Sequence, residues 1–390
     1  RRGCLGRYTR VTNILEVQMK PVRLVMGLLV VSFLLIQWAL AERQSATQDQ
    51  KTRIAIVGLD HDHVWELLKY IANEPQAELV GIADAHPYLV DKAKSQVSSS
   101  VKFYPDYIKM LDEAKPEAVF VTTSNDRHLE ILRECAKRHI HYSTEKPMAT
   151  NAVDAREMQR LAEQAGIKLM VNYWNAWVAS SHELFHRVKS GDIGPVQKIS
   201  VQYGHNGPKE IGVSKEFEEW LYDPAKNGGG AIMDFGCYGA EWAVWLKGRP
   251  TRVYGTTRKL KTEQHNRVDD DATITLDYPD ATVIIEASWD WPYSMDRTYV
   301  FGPKGSLRST RNDLLFRSST AKAGQAADGE SIPLNTPPHE TSNPIAYLLE
   351  RIRANQPVED PLAAKLNVQV MEILDAARES ARTGHAVDLR

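Results

Sequence analysis

Thr144-Glu145-Lys146-Pro147 closes a short strand-like run at 139–143 and sets a lysine at the carboxyl edge of what reads as a parallel sheet. Open α/β sheets bind their ligands at that edge. Pro147 has no backbone donor and a fixed φ, so the chain must leave the sheet directly after Lys146. A partly desolvated ammonium in such a place is a candidate for moving a proton or fixing a substrate hydroxyl. A surface lysine beside a turn is the plain alternative.

Working outward, strand-like runs recur at 53–58, 78–83, 118–123 and 168–173, and helical patterns separate them at about 63–73, 87–96, 105–114, 127–138 and 151–166. Strands and helices alternating at this length mean βαβ units, and so a doubly wound parallel sheet of the α/β class. Asn151 reads as an N-cap and Gly166 as the C′ stop of the last helix. From about residue 175 the pattern changes. A helix at 179–190 is followed by β-branched and aromatic runs at 196–204, 251–258, 271–277, 281–289, 297–302 and 306–309, several joined by short turns. Such runs predict an open, mostly antiparallel sheet. Residues 318–342 read as an exposed loop, and helices at about 343–354 and 360–383 follow.

The chain has 390 residues, long for one core, so two domains are expected, at 53–174 and 175–390. A formal charge of −2 argues against nucleic acid or anionic lipid as a partner. The three cysteines, Cys4, Cys135 and Cys237, show no paired spacing, so neither a disulfide framework nor a zinc motif is indicated. Met19-Lys-Pro-Val-Arg23, the apolar run 24–36 and Ala39-Leu40-Ala41 are the parts of a secretory signal. On that reading residues 1–18 are an over-extended reading frame, 19–41 a signal peptide and 42–52 a linker. The mature protein is then exported, to the periplasm, with no membrane attachment after cleavage. A signal anchor is the alternative, although the run is short of the roughly 20 apolar residues a span needs.

Gly58 ends the first strand where a dinucleotide fold makes its tight turn. Leu59-Asp60-His61-Asp62-His63 then replaces the later glycines that let a pyrophosphate approach the helix. His61 and His63 are candidate phosphate donors in their stead. Two His and two Asp within four residues also raise a metal, but successive loop residues seldom converge on one ion, and no metal is expected. Asp84, 26 residues beyond Gly58, can accept ribose hydroxyls and repel a 2′-phosphate, which favours NAD while leaving NADP open. Ser124, Asn125 and His128 follow another strand-like run and are candidates to meet the cofactor, as are Asp60, Glu145 and Lys146.

Gly228-Gly229-Gly230 lets the chain pass close to something, and Asp234 and Tyr238 are four apart on the helix that follows. With Lys146 they would form a proton-handling set, in which a neighbouring ammonium favours the phenolate of Tyr238. Capping by Asp234 and core packing of Tyr238 are the structural alternatives. Tyr173-Trp174-Asn175-Ala176-Trp177 and His205-Asn206 offer aromatic faces and polar groups suited to a sugar, with Trp174, Asn175, His205 and Asn206 the candidate contacts.

The strand ending at Gly58, the Glu145-Lys146-Pro147 edge and the Gly228–Tyr238 segment resemble, in order and spacing, the family of glucose–fructose oxidoreductase, inositol dehydrogenase and MocA. The resemblance covers about residues 53–383. It implies an N-terminal Rossmann domain, a C-terminal α/β domain with an open, mostly antiparallel sheet, and oxidation of sugars or polyols with a pyridine nucleotide. It further implies that Lys146 and Asp234 meet the reacting centre. Many members carry histidine where this chain has Tyr238; the tyrosine resembles the glucose–fructose oxidoreductase and dihydrodiol dehydrogenase branch. The expected activity is hydride transfer to or from a carbinol carbon. The alternatives are an NAD-dependent glycosidase working by transient oxidation and elimination, and a non-catalytic sugar or nucleotide binder. A homodimer or homotetramer is expected, because a large open sheet face needs a partner to cover it.

Overall fold

Six strands pair in parallel in the order 3-2-1-4-5-6, the doubly wound arrangement that the alternation of patterns predicts. They are β1 (Thr52–Val57), β2 (Ala77–Ala83), β3 (Lys102–Tyr104), β4 (Ala118–Val121), β5 (His141–Glu145) and β6 (Leu169–Asn172). Between them run α1 (Val64–Asn73), α2 (Pro87–Lys94), α3 (Tyr107–Ala114), α4 (His128–Lys137) and α5 (Ala152–Ala165). The computed structural model describes residues 51–261, 267–321 and 329–389. Residues 1–18, the signal-like segment 19–41 and nearly all of the linker 42–52 therefore lie outside the described residues, as does part of the 318–342 loop.

β1 and β4 are buried almost throughout, as the centre of a sheet covered on both faces requires. Around them α1 and α4 lay down Leu67, Leu68 and Ile71, and Ile131, Leu132 and Cys135, at helical spacing. The caps behave as their chemistry predicts. Asn151 accepts from the Asp154 amide at 2.9 Å, and Gly166 ends α5 at φ +66°. Register aligns the functional ends: Val57 pairs with Val121, Val121 with Thr144, and Glu145 with Asn172. The turns that follow therefore open on one edge.

The second sheet has nine strands in the order 14-13-12-11-7-10-9-8-15, antiparallel except where β7 and β10 run together. It is built from β7 (Lys198–Gly204), β8 (Arg252–Arg258), β9 (Asp271–Tyr278), β10 (Ala281–Ser288), β11 (Met295–Gly302), β12 (Gly305–Ser309), β13 (Leu314–Ser318), β14 (Glu330–Ser331) and β15 (Val387–Asp388). Helices α6 (Ala179–Ser190), α7 (Lys215–Leu221), α8 (Pro224–Asn227), α9 (Ala231–Asp234), α10 (Gly236–Lys247), α11 (Pro344–Arg353) and α12 (Ala364–Thr383) complete it. One sheet face packs on α10 and α12 and supplies Val253, Ile274, Val283 and Ile285 to the core. On alternate positions Tyr254 and Phe301 stay exposed, at 43% and 38%. The two sheets belong to one compact unit, Thr52–Arg390. The end of the chain returns to the first sheet: Val171 donates to the Leu362 carbonyl at 3.0 Å, and α12 lies against α5 as well as α10.

The Gly228–Gly230 run has a physical cause. A Cβ on Gly230 would stand 1.7 Å from the Asp269 carbonyl oxygen, so no other residue fits. The Asp269 carboxylate accepts the amides of Gly230 and Ile232 at 2.8 and 2.7 Å, which fixes the start of α9 and with it Asp234.

Candidate active site

Lys146, at the end of β5, and Asp234, at the end of α9, meet across the two sheets. The ammonium lies 2.5 Å from Oδ1 and 3.2 Å from the Asp234 carbonyl oxygen. Trp289 Nε1 donates to the other carboxylate oxygen at 3.0 Å. Both partners are buried, Lys146 at 6% and Asp234 at 9% exposed. Burial alone would lower the lysine, but the carboxylate outweighs it and holds Lys146 above its ordinary pKa. Burial likewise opposes ionisation of Asp234, and Lys146, His205 and Trp289 reverse that and hold it below. The pair is an ammonium carboxylate at neutral pH.

Tyr238, one turn into α10, lies with its ring centroid 5.0 Å from the Lys146 nitrogen. It stacks on Tyr203 at 5.0 Å and meets Tyr173 edge-on at 5.4 Å. This aromatic packing corrects one expectation from sequence. The phenol is not pulled toward phenolate by its ammonium neighbour; burial lifts it well above its ordinary pKa, and the nearby Cys237, Asp234 and Glu145 push the same way. Tyr238 therefore carries its proton at neutral pH.

His205 turns its ring edge to Phe235 and accepts the Gly207 amide on Nδ1 at 2.9 Å, which leaves the proton of the neutral ring on Nε2. Burial holds the ring below its ordinary pKa. Asn206 lies beside it, and its backbone carbonyl takes the Lys261 ammonium. Trp174 lines a cleft with Asn172, Trp177, His63 and Arg311, whose guanidinium lies 4.8 Å over the Trp174 ring. Asn175 is different. It is fully buried and donates to Glu241 at 3.1 Å, so it belongs to the core beneath Tyr238 rather than to that cleft.

The other edge residues divide in the same way. Gly58 turns at φ +90°, and a Cβ there would meet Thr123 Cγ2 at 2.4 Å and the Thr122 carbonyl oxygen at 2.7 Å. Beside it a cavity is lined by Asp60, Asp84, His86, Pro105, Tyr107 and Arg127. Asp84 takes the Leu59 amide on Oδ2 at 2.6 Å and the His86 amide and ring Nδ1 on Oδ1 at 2.7 and 2.9 Å, which keeps a lone pair on Oδ2 for a hydroxyl donor. Burial and Asp84 together raise Asp60 to about 6. The donor set suits the ribose and adenine end of a dinucleotide. Ser124 bonds Asp126 at 2.6 Å. Asn125 Nδ2 ties the edge to Asn227 Oδ1 at 2.7 Å, and buried His128 bonds the Met148 carbonyl through Nδ1 at 3.1 Å, while Asn125 Oδ1 and His128 Nε2 stay without a protein partner.

The loop 59–63 departs from the phosphate reading. His61 is 1% exposed and packs on Phe217 and Trp220 with ring centroids 4.3 and 5.6 Å away. The amides of Val64 to Leu67 are bonded to the carbonyls of His61, Asp62 and His63, so the first turn of α1 offers few free donors. His63 turns instead to Glu145, at 2.9 Å, and Asn172 holds the other Glu145 oxygen at 2.7 Å. Burial alone would raise Glu145, but these partners hold it below its ordinary pKa.

Sequence reasoning missed Trp289, Asn172, Arg311 and Asp269, whose contacts with the site come from distant parts of the chain and carry no local signal. Glu241 was legible. A lone carboxyl within Gly239-Ala-Glu-Trp-Ala-Val-Trp-Leu246 sits on a helix that is apolar all round.

A doubly wound sheet, a glycine turn at its nucleotide edge and a lysine–aspartate pair bridging to a second sheet define a two-part, dinucleotide-binding oxidoreductase. Residues 52–173 match the model described as "Oxidoreductase family, NAD-binding Rossmann fold", and residues 182–308 match the "GFO/IDH/MocA C-terminal domain". The chain belongs to the Gfo/Idh/MocA family of oxidoreductases. It is 27% identical to D-xylose 1-dehydrogenase (NADP(+)) 2 of Haloferax volcanii over 299 residues, 73% of this chain and 84% of that enzyme. It is 26% identical to trans-1,2-dihydrobenzene-1,2-diol dehydrogenase of Macaca fascicularis over 183 residues, 46% of this chain and half of that enzyme. A crystal structure of aldose-aldose oxidoreductase from Caulobacter crescentus with glycerol shares the fold at TM-score 0.74 and 24% identity, over 87% of this chain and all of that one.

Proposed function

We propose that this chain is a nicotinamide-dependent oxidoreductase acting on a carbinol carbon of a sugar or cyclic polyol. The observation that carries the reading is the buried Lys146–Asp234 pair with Tyr238 over the ammonium, at the carboxyl edge of the dinucleotide sheet. The bound nicotinamide supplies the hydride chemistry. Lys146, fixed by Asp234, donates toward the substrate oxygen and stabilises negative charge that develops there. Asp234, fixed in turn by Trp289, sets the direction of that donor. Tyr238 gives its proton to the same oxygen when a carbonyl is reduced, and in the oxidising direction takes the carbinol proton back as the phenolate. Trp174, Trp177 and His205 supply the ring faces and polar tip that suit a carbohydrate.

Asp84 and Asp60 beside the Gly58 turn support NAD over NADP, since a 2′-phosphate would stand against two acids. The basic start, apolar run and Ala-x-Ala end of residues 19–41 support export to the periplasm, and among the described residues no helix is long and apolar enough to cross a membrane. The uncovered face of the nine-stranded sheet, with Tyr254, Tyr299 and Phe301 on it, supports a homo-oligomer.

Steady-state turnover of sugars and polyols with NAD tests the reading. Lys146→Met and Tyr238→Phe should each lower kcat/KM by about 10²–10⁴-fold while NAD still binds. Full turnover by both variants would end it.

A further inference from the structure

We infer that His61, His63 and Glu145 form a binding site for one divalent transition-metal ion of the zinc type, open toward the substrate cleft. Among the described residues, these three make the one group of His, Cys, Asp or Glu whose ligand atoms converge, all within 4.8 Å of one another. The loop supplies two imidazoles, and strand β5 supplies the carboxylate that the loop alone lacks. Two nitrogens and one oxygen are a donor set for zinc or a neighbouring divalent transition ion, and three protein ligands leave positions for an exchangeable one.

The distances suit inner-sphere ligands. Atoms that coordinate one ion at about 2.1 Å, with angles of about 90–110°, stand roughly 3.0–3.4 Å apart. His63 Nδ1 and Glu145 Oε2 are 2.9 Å apart already. His61 Nδ1 takes the His63 amide at 3.2 Å, which puts the proton of the neutral ring on Nε2, so coordination through Nε2 requires the other tautomer and gives up that long amide contact. The three ligand atoms lie within 4.8 Å of one another, so one ion draws them closer than they stand here.

Each ligand is also braced from behind, as metal ligands require. Asn172 holds the second Glu145 oxygen, and Trp177 Nε1 holds Asn172 Oδ1 at 2.8 Å. The His61 ring is wedged against Phe217 and Trp220. His63 is the outermost ligand, its side chain 40% exposed, and it lines the cleft with Asn172, Trp174 and Trp177. The open positions therefore face the cleft, where the ligand class that fits is an oxygen donor, a hydroxyl or carboxylate of a carbohydrate. A bare His63–Glu145 ion pair would need neither the third ligand nor the outer bracing.

The test uses the full chain without an affinity tag, stripped with chelator and titrated with Zn²⁺ by calorimetry. One ion per chain should bind, and His63→Ala and Glu145→Gln should each weaken it by about 10–100-fold, with Asn172→Ala at the lower end. His339→Ala, on a His–Glu pair elsewhere, should leave binding unchanged. No binding by the wild-type chain, or equal binding by wild type and the His63 and Glu145 variants, overturns the site. Because a variant could fail to fold, the wild-type chain loaded with Co²⁺ gives a second readout: visible ligand-field bands are expected on loading, and their absence overturns the site too. NAD binding measured alongside keeps the two conclusions apart. Zn²⁺ bound without NAD sinks the oxidoreductase reading alone, and NAD bound without Zn²⁺ sinks the metal site alone.

Discussion

Neutralising Asp234 should cost far more than removing a surface charge, because of what it leaves behind. In Asp234→Asn the Lys146 ammonium stays 6% exposed with a backbone carbonyl at 3.2 Å and two aromatic faces, Tyr238 and Phe235, at 5.0 and 5.9 Å. Cation–π attraction returns about 0.5–2 kcal/mol, against the 3–5 kcal/mol typical of an orphaned buried charge, so a net loss of about 3 kcal/mol is expected. Lys146→Met strands the carboxylate instead, with Trp289 Nε1 and His205 as its remaining support, and should cost a similar amount. In the double variant both charges are gone and the carboxamide introduced by Asp234→Asn still accepts from Trp289, so the loss should be only about 1–2 kcal/mol. The coupling is then about 4 kcal/mol.

Denaturant unfolding of the four proteins reads this as a double-mutant cycle. The pH window follows from the shifts. Asp234 is held below 3.8 when folded, so its contribution is present above that value and lost as pH falls through the lowered one. Lys146 is held above 10.5, so its contribution is complete below that value and lost as pH rises through the raised one. The coupling should thus be constant over about pH 5–10 and shrink outside it. A coupling below about 1 kcal/mol, as for an exposed pair, would refute the buried geometry.

Gly58→Ala should destabilise the chain by more than about 1 kcal/mol and weaken NAD binding at least about tenfold by fluorescence titration, since its backbone is left-handed and its Cβ space is filled. Asp84→Ser should raise the NADP:NAD ratio of kcat/KM by about tenfold or more, and an unchanged ratio would remove Asp84 from the ribose. Glu241, raised by burial to about 8, is protonated in the fold and ionised in the unfolded chain between pH 4.5 and 8, so wild-type stability should fall as pH rises across that window. Glu241→Gln lacks that slope, and denaturation at pH 5 and pH 8 should show it gaining roughly 2–4 kcal/mol on wild type.

What the sequence made legible was whatever repeats locally. Strands β1, β2, β4, β5 and β6, their helices and the caps at Asn151 and Gly166 follow from periodicity and single-residue chemistry, and the structure places α6 over the residues expected, 179–190. β3 was missed because Lys102-Phe-Tyr104 is too short to show a period, and β14 and β15 are two residues each. At the site, Lys146, Asp234 and Tyr238 were legible because glycine and proline punctuation marks where they stand. Partners chosen by topology were not: Trp289 lies 55 residues from Asp234, and Glu145 lies 82 from His63. The phenolate expectation for Tyr238 failed for a related reason. Charge proximity can be guessed from spacing, but desolvation is set by Tyr173, Trp174 and Tyr203, which arrive from two other elements.

The loop that lacks the usual glycines is also fastened to the second half of the molecule, and the two facts belong together. Asp62 accepts the Ser214 amide at 2.7 Å, Trp220 Nε1 donates to the Asp60 carbonyl at 3.0 Å, and His61 is gripped by the rings of α7. A glycine loop supplies backbone amides to a pyrophosphate and asks little of its surroundings. Here the loop's own carbonyls take the first amides of α1, from Val64 to Leu67, and the loop offers side chains instead, which need bracing to hold a geometry. The segment 213–222 provides that bracing, and Asn125 with Asn227 repeats the tie on the next edge loop. A movement of the second sheet relative to the first would therefore shift His61 and Asp62 together with Lys146 and Asp234, so nucleotide edge and reacting edge are set by one interface rather than two.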